Sequence, residues 1–285
     1  MRKRILGKTN EKLSVVGFGG IILDGLDEKT AQKYIDAAID YDVNYFDVSP
    51  SYGNAEEVMG PVLEKYRKKI FLSCKTDSYD YANVKKDLET SLKKLKTDYF
   101  DLYQFHAITE IREVDMIFSQ GGIDALIEAR EKGLIKYIGF SSHSQEAASA
   151  MMDRFDFDTI MFPVNFANWE KGYFGEIVLK KAKEKNMGII AIKTLAKRKW
   201  LENENRGNLR TWYKPVENKE EAELAMKFTL SKGVTTCVSP NDFERFTWMC
   251  EIEKELDETL SENDMKKIHE LIKELNPVFP LLKRD

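Results

Sequence analysis

The chain has 285 residues, a length typical of a single α/β barrel, and its 42% hydrophobic content suffices for a large core. Its formal net charge of −4 does not favour a nucleic-acid partner. No apolar run approaches the roughly 18 residues of a membrane span, and the basic N-terminus lacks an apolar continuation. We therefore expect neither a signal peptide nor a membrane partner.

The three cysteines, Cys74, Cys237 and Cys250, form no closely spaced pair. Because Cys74 and Cys237 lie within apolar runs, we predict buried free thiols rather than disulfides. Free thiols are typical of a reducing compartment, and we expect the protein to be cytoplasmic.

The first predicted element is a β-hairpin, with strands at 4–6 and 12–16, which could cap the bottom of a barrel. Short apolar runs then alternate with amphipathic helical patterns, of which 28–41 and 84–95 are the clearest. The eight predicted barrel strands are 14–19, 45–49, 70–75, 100–106, 137–141, 159–165, 188–194 and 235–239.

Eight strand–helix units predict a closed parallel sheet, the (β/α)8 TIM barrel, an α/β fold. We expect one domain over 1–285, with the N-terminal hairpin and extra C-terminal helices added to the barrel. The longest stretch without periodicity is 196–219, which follows predicted strand seven. It should form a long loop at the face where barrel enzymes build their sites.

Four polar residues lie at the C-terminal ends of consecutive predicted strands or just after them. Asp47 and Tyr52 follow strand two, Lys75 ends strand three, and His106 ends strand four. Each alone is more often structural, as a cap, a solvated cation or a hydrogen-bonded histidine. Because neighbouring strands of a barrel end side by side, the four should meet at its mouth.

The chemistry of these four groups suits carbonyl reduction, which needs a hydride and a proton. A free tyrosine has a pKa of about 10, too high for an efficient acid near neutral pH. A nearby Lys75 ammonium would lower the pKa of the Tyr52 phenol, and Asp47 would keep that lysine charged. His106 could share the phenol's hydrogen bond or orient the carbonyl oxygen. We therefore predict Tyr52 as the general acid.

The segment DVSPSYGNAEEVMG, residues 47 to 60, resembles the aldo-keto reductase pattern around its aspartate and tyrosine. The segment SLKKLKTDYFDLYQFH, residues 91 to 106, is similar to the same family's signature around its histidine. The resemblance runs from Gly17 to about Thr194 and continues more weakly beyond. It implies a catalytic tetrad of Asp47, Tyr52, Lys75 and His106. It also implies reduction of aldehydes and ketones by hydride transfer from nicotinamide C4.

The resemblance further implies an NADPH cofactor, with NADH as the alternative, extended across the barrel top. Met161 stands where the family often has glutamine, and Ile192 where many members stack a tyrosine on the nicotinamide. Arg245 could pair with a 2′-phosphate. The residues expected to contact the cofactor are Gly19, Gly20, Ser141, Ser142, Asn165, Ile192, Lys193, Thr194, Leu195, Asn241 and Arg245.

Ile21 and Ala107 replace aromatic residues common in the family, which predicts a less aromatic, open pocket for small carbonyl compounds. We expect a monomer or a weak homo-oligomer. Two alternatives remain. One is a Schiff-base lyase using Lys75 or Lys193, and the other is a nucleotide-sensing binding protein with little catalysis. The histidines show no metal-ligand spacing, so we expect no metal.

Overall fold

A computed structural model describes residues 1–281 of the chain. Its strands are β1 (Lys3–Ile5), β2 (Lys12–Ser14), β3 (Val16–Gly19), β4 (Tyr45–Asp47), β5 (Phe71–Thr76), β6 (Phe100–Ile108), β7 (Ile135–Ser142), β8 (Thr159–Pro163), β9 (Gly188–Ile192), β10 (Ala196–Lys199), β11 (Tyr213–Pro215) and β12 (Thr236–Val238). Eight of them close into a barrel in the order β12-β3-β4-β5-β6-β7-β8-β9, and every pairing in it is parallel. The predicted (β/α)8 barrel is confirmed.

Helices follow the barrel strands and cover them from outside. They are α1 (Glu28–Asp40), α2 (Ala55–Leu63), α3 (Tyr81–Lys94), α4 (Ile111–Ser119), α5 (Gly122–Glu131), α6 (Gln145–Arg154), α7 (Phe166–Glu170), α8 (Glu176–Glu184), α9 (Lys219–Ser231), α10 (Phe243–Glu253) and α11 (Glu262–Ile272). In α1, the apolar residues Ala31, Ile35 and Ala38 are buried, and the Asp27 side chain accepts from the Thr30 N–H at the first turn. The apolar face is the feature that predicted this helix from the sequence.

The β1–β2 hairpin closes the bottom of the barrel, as predicted. Leu6 and Leu13 pack against residues of the barrel interior such as Tyr45 and Ile190. The turn approaches β9 so closely that a Cβ at Gly7, where φ is 51°, would lie 2.3 Å from the Gly188 nitrogen. Only glycine fits this contact. The other end of the barrel is left for a ligand.

Four barrel strands, β4, β8, β9 and β12, end earlier than predicted, and in β8 and β9 the residues that follow take other roles. Strand β8 stops at Pro163, and Asn165 instead caps α7 by accepting from the Asn168 N–H. Strand β9 stops at Ile192, because Lys193 has a left-handed φ of 60°. The segment 196–219, predicted as a loop, contains regular structure. Its strands β10 and β11 form an antiparallel hairpin joined by residues 200–212.

The free cysteines are buried, as predicted. Of the helices within residues 1–281, none is both long enough and apolar enough to cross a bilayer. The C-terminal helix α11 packs against α7, so the expected extra helical segment after the barrel is present.

Candidate functional site

A cleft of about 340 Å³ lies at the C-terminal end of the barrel. Its wall contains Asp47, Tyr52 and His106 together with residues from β3, β7, β9 and the 200–212 loop. The four polar residues singled out from the sequence therefore come together at one place, with Lys75 directly behind Tyr52.

The Lys75 ammonium lies between a carboxylate and a phenol. Its Nζ donates to Asp47 Oδ2 at 2.5 Å and to the Val48 carbonyl at 3.2 Å. The Tyr52 hydroxyl is 3.5 Å from the same Nζ. Both charged groups are buried, Lys75 at 0% and Asp47 at 2% exposure. A buried charge pair of this kind needs its hydrogen bonds satisfied, which the barrel provides.

A chain of hydrogen bonds inside the barrel fixes this charge pair. Gln104 Nε2 donates to Ser73 Oγ at 2.8 Å, and Ser73 Oγ donates to Asp47 Oδ1 at 3.2 Å. Tyr45 also donates to Asp47 Oδ1, at 3.4 Å. Because these side chains point inward from β4, β5 and β6, the strands themselves set the direction of the Asp47 carboxylate.

Electrostatics keep Lys75 charged and Tyr52 protonated. Burial alone would lower the pKa of Lys75, but the Asp47 carboxylate raises it well above its ordinary value. Burial raises the pKa of the Tyr52 phenol above 10.0; Lys75 opposes this shift and Asp47 adds to it. The sequence predicted a net lowering, which is wrong because desolvation exceeds the effect of the ammonium. A paired, protonated Lys75 is also a poor nucleophile, which counts against its use as a Schiff-base lysine.

His106 is held by a carboxylate that the sequence reading did not identify. Its Nδ1 lies 2.6 Å from Asp77 Oδ1 and 3.2 Å from Ser49 Oγ. Burial raises the pKa of Asp77, but hydrogen bonding and charge from His106 outweigh it, so the net pKa is lowered. The imidazole lies edge-on to the Tyr52 ring, with centroids 5.8 Å apart. The signal in the sequence was weak, an acidic residue two positions after Lys75.

The residues expected to contact a cofactor divide into two groups. Those that line the cleft are Gly19, Ser141, Ile192, Lys193 and Asn241, joined by Ile21 of the expected substrate pocket. Ala107 lies beside the cleft, where its N–H donates to Ser141 Oγ at 2.6 Å.

The remaining residues of that set do not line the cleft, and the polar side chains of three of them hydrogen-bond within the fold. Ser142 Oγ donates to the Ile108 carbonyl, and Asn165 Nδ2 donates to the Lys193 carbonyl at 3.1 Å. Arg245 is 6% exposed and donates from Nε to the Val216 carbonyl, so its expected pairing with a phosphate is not supported. The others that do not line the cleft are Gly20, Thr194 and Leu195.

The cleft is more aromatic than the sequence predicted. Trp212 and Tyr213 line it from the 200–212 loop and β11. Phe279 of the C-terminal tail packs against Trp212, with centroids 5.8 Å apart. Arg210 ties the loop across the mouth by pairing with Asp24 at 2.7 Å. These rings compensate for the small side chains at positions 21 and 107.

The cleft also suits a nicotinamide dinucleotide. Met161, Ile192 and Val238 give it an aliphatic floor against which a flat ring can pack. At Gly19, a Cβ would lie 2.7 Å from the Ser239 carbonyl oxygen, so only a residue without a side chain leaves this part of the wall open. Ser141 and Asn241 add polar side chains to the lining. Mostly apolar walls with a few polar groups are typical of cofactor sites.

Comparison with known proteins gives a consistent picture. The model of the Aldo/keto reductase family matches residues 15–272. Uncharacterized oxidoreductase YqkF from Bacillus subtilis is 34% identical over 156 residues, covering 50% of this chain and 49% of that protein. Protein REDOX 2 from Catharanthus roseus is 27% identical over 289 residues, covering 92% of this chain and 87% of that protein. The match thus spans about half the length of YqkF and most of REDOX 2.

The fold is shared with solved structures. The holo form of aldo-keto reductase AKR11C1 from Bacillus halodurans superposes with a TM-score of 0.76 at 22% sequence identity. The match covers 100% of this chain and 99% of that one. At this identity the similarity establishes the architecture alone.

Proposed function

The chain belongs to the aldo/keto reductase family, and from that premise we propose that it reduces aldehydes or ketones to alcohols with NADPH or NADH. The observation that carries the proposal is the buried Asp47–Lys75 pair behind the Tyr52 hydroxyl at the mouth of the barrel. This arrangement would place the Tyr52 hydroxyl beside a bound carbonyl oxygen, which gains negative charge during reduction.

A reduced nicotinamide bound in this cleft would supply the hydride. Tyr52 donates its phenolic proton to the carbonyl oxygen as that oxygen becomes an alkoxide. The Lys75 ammonium stabilises the phenolate that results, and Asp47 keeps the ammonium in place. Within residues 1–281 the hydrogen-bond partners of His106 lie at Nδ1, among them Asp77, so its Nε2 is available to hydrogen-bond the carbonyl oxygen.

We propose that the dinucleotide is held by the cleft residues Ser141, Ile192, Lys193 and Asn241. Arg245 is left out of this set because its guanidinium is occupied by Val216 and Asp242. The expected preference for NADPH therefore depends on other rim groups, and the assay below compares both cofactors. The three free thiols support the proposal of a reducing compartment, the cytoplasm.

The test is a direct assay with a small panel of aldehydes, ketones and quinones. We expect loss of the near-ultraviolet absorbance of NADPH, and separately of NADH, that depends on both the protein and the carbonyl compound. Product alcohol should appear in equal amount. Tight cofactor binding with no turnover on any carbonyl would overturn the proposal and favour the nucleotide-sensing alternative.

Asp77 should act as a positioning residue for His106. For Asp77→Ala, we expect kcat/KM to fall by about 3- to 10-fold, because a half-exposed carboxylate orients an imidazole through one hydrogen bond. The loss should lie mainly in kcat, and Asp77→Glu should restore part of it. The control is Asp40→Asn, at an exposed carboxylate on α1. Equal losses for Asp77→Ala and this control would show that Asp77 does not position His106.

A further inference from the structure

Lys193 occupies an unusual position at the end of β9. It has a left-handed φ of 60°, which is strained for a residue with a Cβ. The backbone is held there by two bonds to the Lys193 carbonyl, from the Ala196 N–H at 2.9 Å and from Asn165 Nδ2 at 3.1 Å. As a result the strand ends at Ile192, and the Lys193 side chain lines the cleft. Strain maintained in this way is typical of functional sites.

The carboxylates at and beside the cleft each contact a group other than Lys193. Asp47 pairs with Lys75, Asp24 with Arg210, and Asp77 with His106. Among residues 1–281, no carboxylate oxygen lies within the 4.0 Å ion-pair distance of Lys193 Nζ. Lys193 therefore lines the cleft without an ion-pair partner among these residues, and the neighbouring carboxylates have other partners.

The neighbours of Lys193 do not neutralise its charge. Its Nζ lies 2.7 Å from His143 Nε2, and the rings of Trp212 and Phe279 lie 5.5 Å and 5.7 Å away. Phe279 also stacks on His143, with an interplanar angle of 10°. Burial lowers the pKa of His143 well below its ordinary value, and Lys193 and His106 add to this. His143 is thus a neutral acceptor toward the ammonium.

We propose that Lys193, with His143, forms an anion-binding subsite that receives the carboxylate of a carbonyl substrate. The preferred substrates would be aldehydes or ketones that carry a carboxylate, such as oxo acids or carboxylated aromatic aldehydes. The inference rests on the proposed reductase function, because it places the carbonyl of the same molecule at Tyr52. The aromatic faces of Trp212 and Phe279 would pack against the apolar body between the two groups.

Both ends can belong to one small molecule, because Tyr52, His106 and Lys193 line the same cleft of about 340 Å³. Burial, and then the charge of Lys75, lower the pKa of Lys193 to about 7. Lys75 and Lys193 therefore repel each other across the cleft, and His106 likewise disfavours a positive charge on His143. A carboxylate bound at Lys193 would remove this repulsion and keep the lysine charged. A phosphate of the dinucleotide offers the same anionic chemistry, so the experiment must separate the two sources.

The experiment compares 2-, 3- and 4-carboxybenzaldehyde with the corresponding neutral carboxamides. In the wild type, we expect at least one carboxylate isomer to exceed its carboxamide in kcat/KM by about tenfold or more, since a hydrogen bond to a charged group is worth that much. Lys193→Met should abolish this preference, measured at saturating cofactor as the ratio of the two kcat/KM values. Lys193→Arg should restore part of it. Lys199→Met, at an exposed lysine on β10, is the matched control.

The cofactor is tested separately by measuring the Kd of NADPH for the wild type and Lys193→Met, without substrate. We expect any increase in this Kd to be smaller than the loss of carboxylate preference, because Lys193 is only one of several residues proposed to hold the dinucleotide. If the substitution instead weakens NADPH binding by tenfold or more and leaves carboxylate selectivity unchanged, the anion is a dinucleotide phosphate and the substrate assignment is wrong. Equal loss for carboxylate and carboxamide would overturn it as well.

A pH series on the wild type avoids dependence on any variant's folding. Lys193 is charged below its pKa of about 7, so the carboxylate preference should be largest near pH 6 and decrease as the pH rises through 7 to 9. Lys75, His106, His143 and Arg210 also lie at or beside the cleft, and their charges act on the carboxylate rather than on the carboxamide. The assignment to Lys193 therefore depends on the midpoint of the change, which is expected near pH 7. A preference independent of pH would contradict the proposal.

Calorimetry with benzoate and benzamide provides a readout that does not need turnover. Benzoate should bind more tightly than benzamide, with proton uptake near pH 8, and Lys193→Met should remove both effects. If no carbonyl is reduced with either cofactor but benzoate binds in this way, the reductase proposal fails and the anion subsite stands. If carbonyl compounds are reduced but neither benzoate nor the carboxylated substrates are preferred, the anion subsite fails and the reductase proposal stands.

Discussion

Replacement of Tyr52 by phenylalanine should reduce the rate of carbonyl reduction by about 10²–10⁴-fold while leaving NADPH binding nearly unchanged. The phenol is held protonated by its burial, and its proton can leave because the Lys75 ammonium lies 3.5 Å from the oxygen. Phenylalanine keeps the ring, and with it the packing beside His106. Only the transferable proton is lost.

The measurement is kcat/KM on a reactive aldehyde, with the Kd of NADPH determined in parallel. Tyr173→Phe is the matched control, because this tyrosine is 64% exposed and lies outside the cleft. A Tyr52→Phe enzyme with activity close to that of the wild type would show that another group, such as His106 or water, delivers the proton.

Replacement of Lys75 by methionine should cause a loss of similar size, about 10²–10⁴-fold. The phenolate formed at Tyr52 would no longer have a cation beside it. Because Lys75 lowers the pKa of Tyr52 in the native site, its removal should raise that pKa further. The alkaline limb of the pH–rate profile, where the acid form of Tyr52 is lost, should therefore move to higher pH. An unchanged profile would contradict this role for Lys75.

The same substitution leaves Asp47 buried without its partner, so the variant should also lose about 3–5 kcal/mol of stability. The double variant Asp47→Asn/Lys75→Met removes both charges and should recover much of that loss in thermal unfolding. Its activity should remain low. If the double variant recovered activity together with stability, the low activity of Lys75→Met would reflect misfolding alone.

The barrel and the four polar residues at its mouth could be predicted because each depends on local sequence. The strands are continuous apolar runs covered on both faces, and a polar residue at the end of such a run reaches the open end of the barrel. Neighbouring strands then bring Asp47, Lys75 and His106 together without any further information.

The rest of the cleft depends on contacts between distant parts of the chain. His143, Lys193, Trp212 and Phe279 meet in space although up to 136 positions separate them, and only Lys193 was among the residues expected at the site. The left-handed backbone at Lys193 could not be predicted, because the position carries no glycine to indicate it. Arg245 was expected at a phosphate because of its side-chain type. Its Nε–H instead donates to the Val216 carbonyl, 29 positions away in the chain.

The hydrogen-bond chain from Gln104 through Ser73 to Asp47 belongs to the strands, whereas Arg210 and Trp212 belong to a connecting segment. Proton delivery and ligand choice are thereby separated into different parts of the molecule. During evolution, insertions or substitutions can change the 200–212 loop without disturbing the proton donor Tyr52. Engineering for new compounds would begin at 200–212 and leave the inward-facing residues of the barrel untouched.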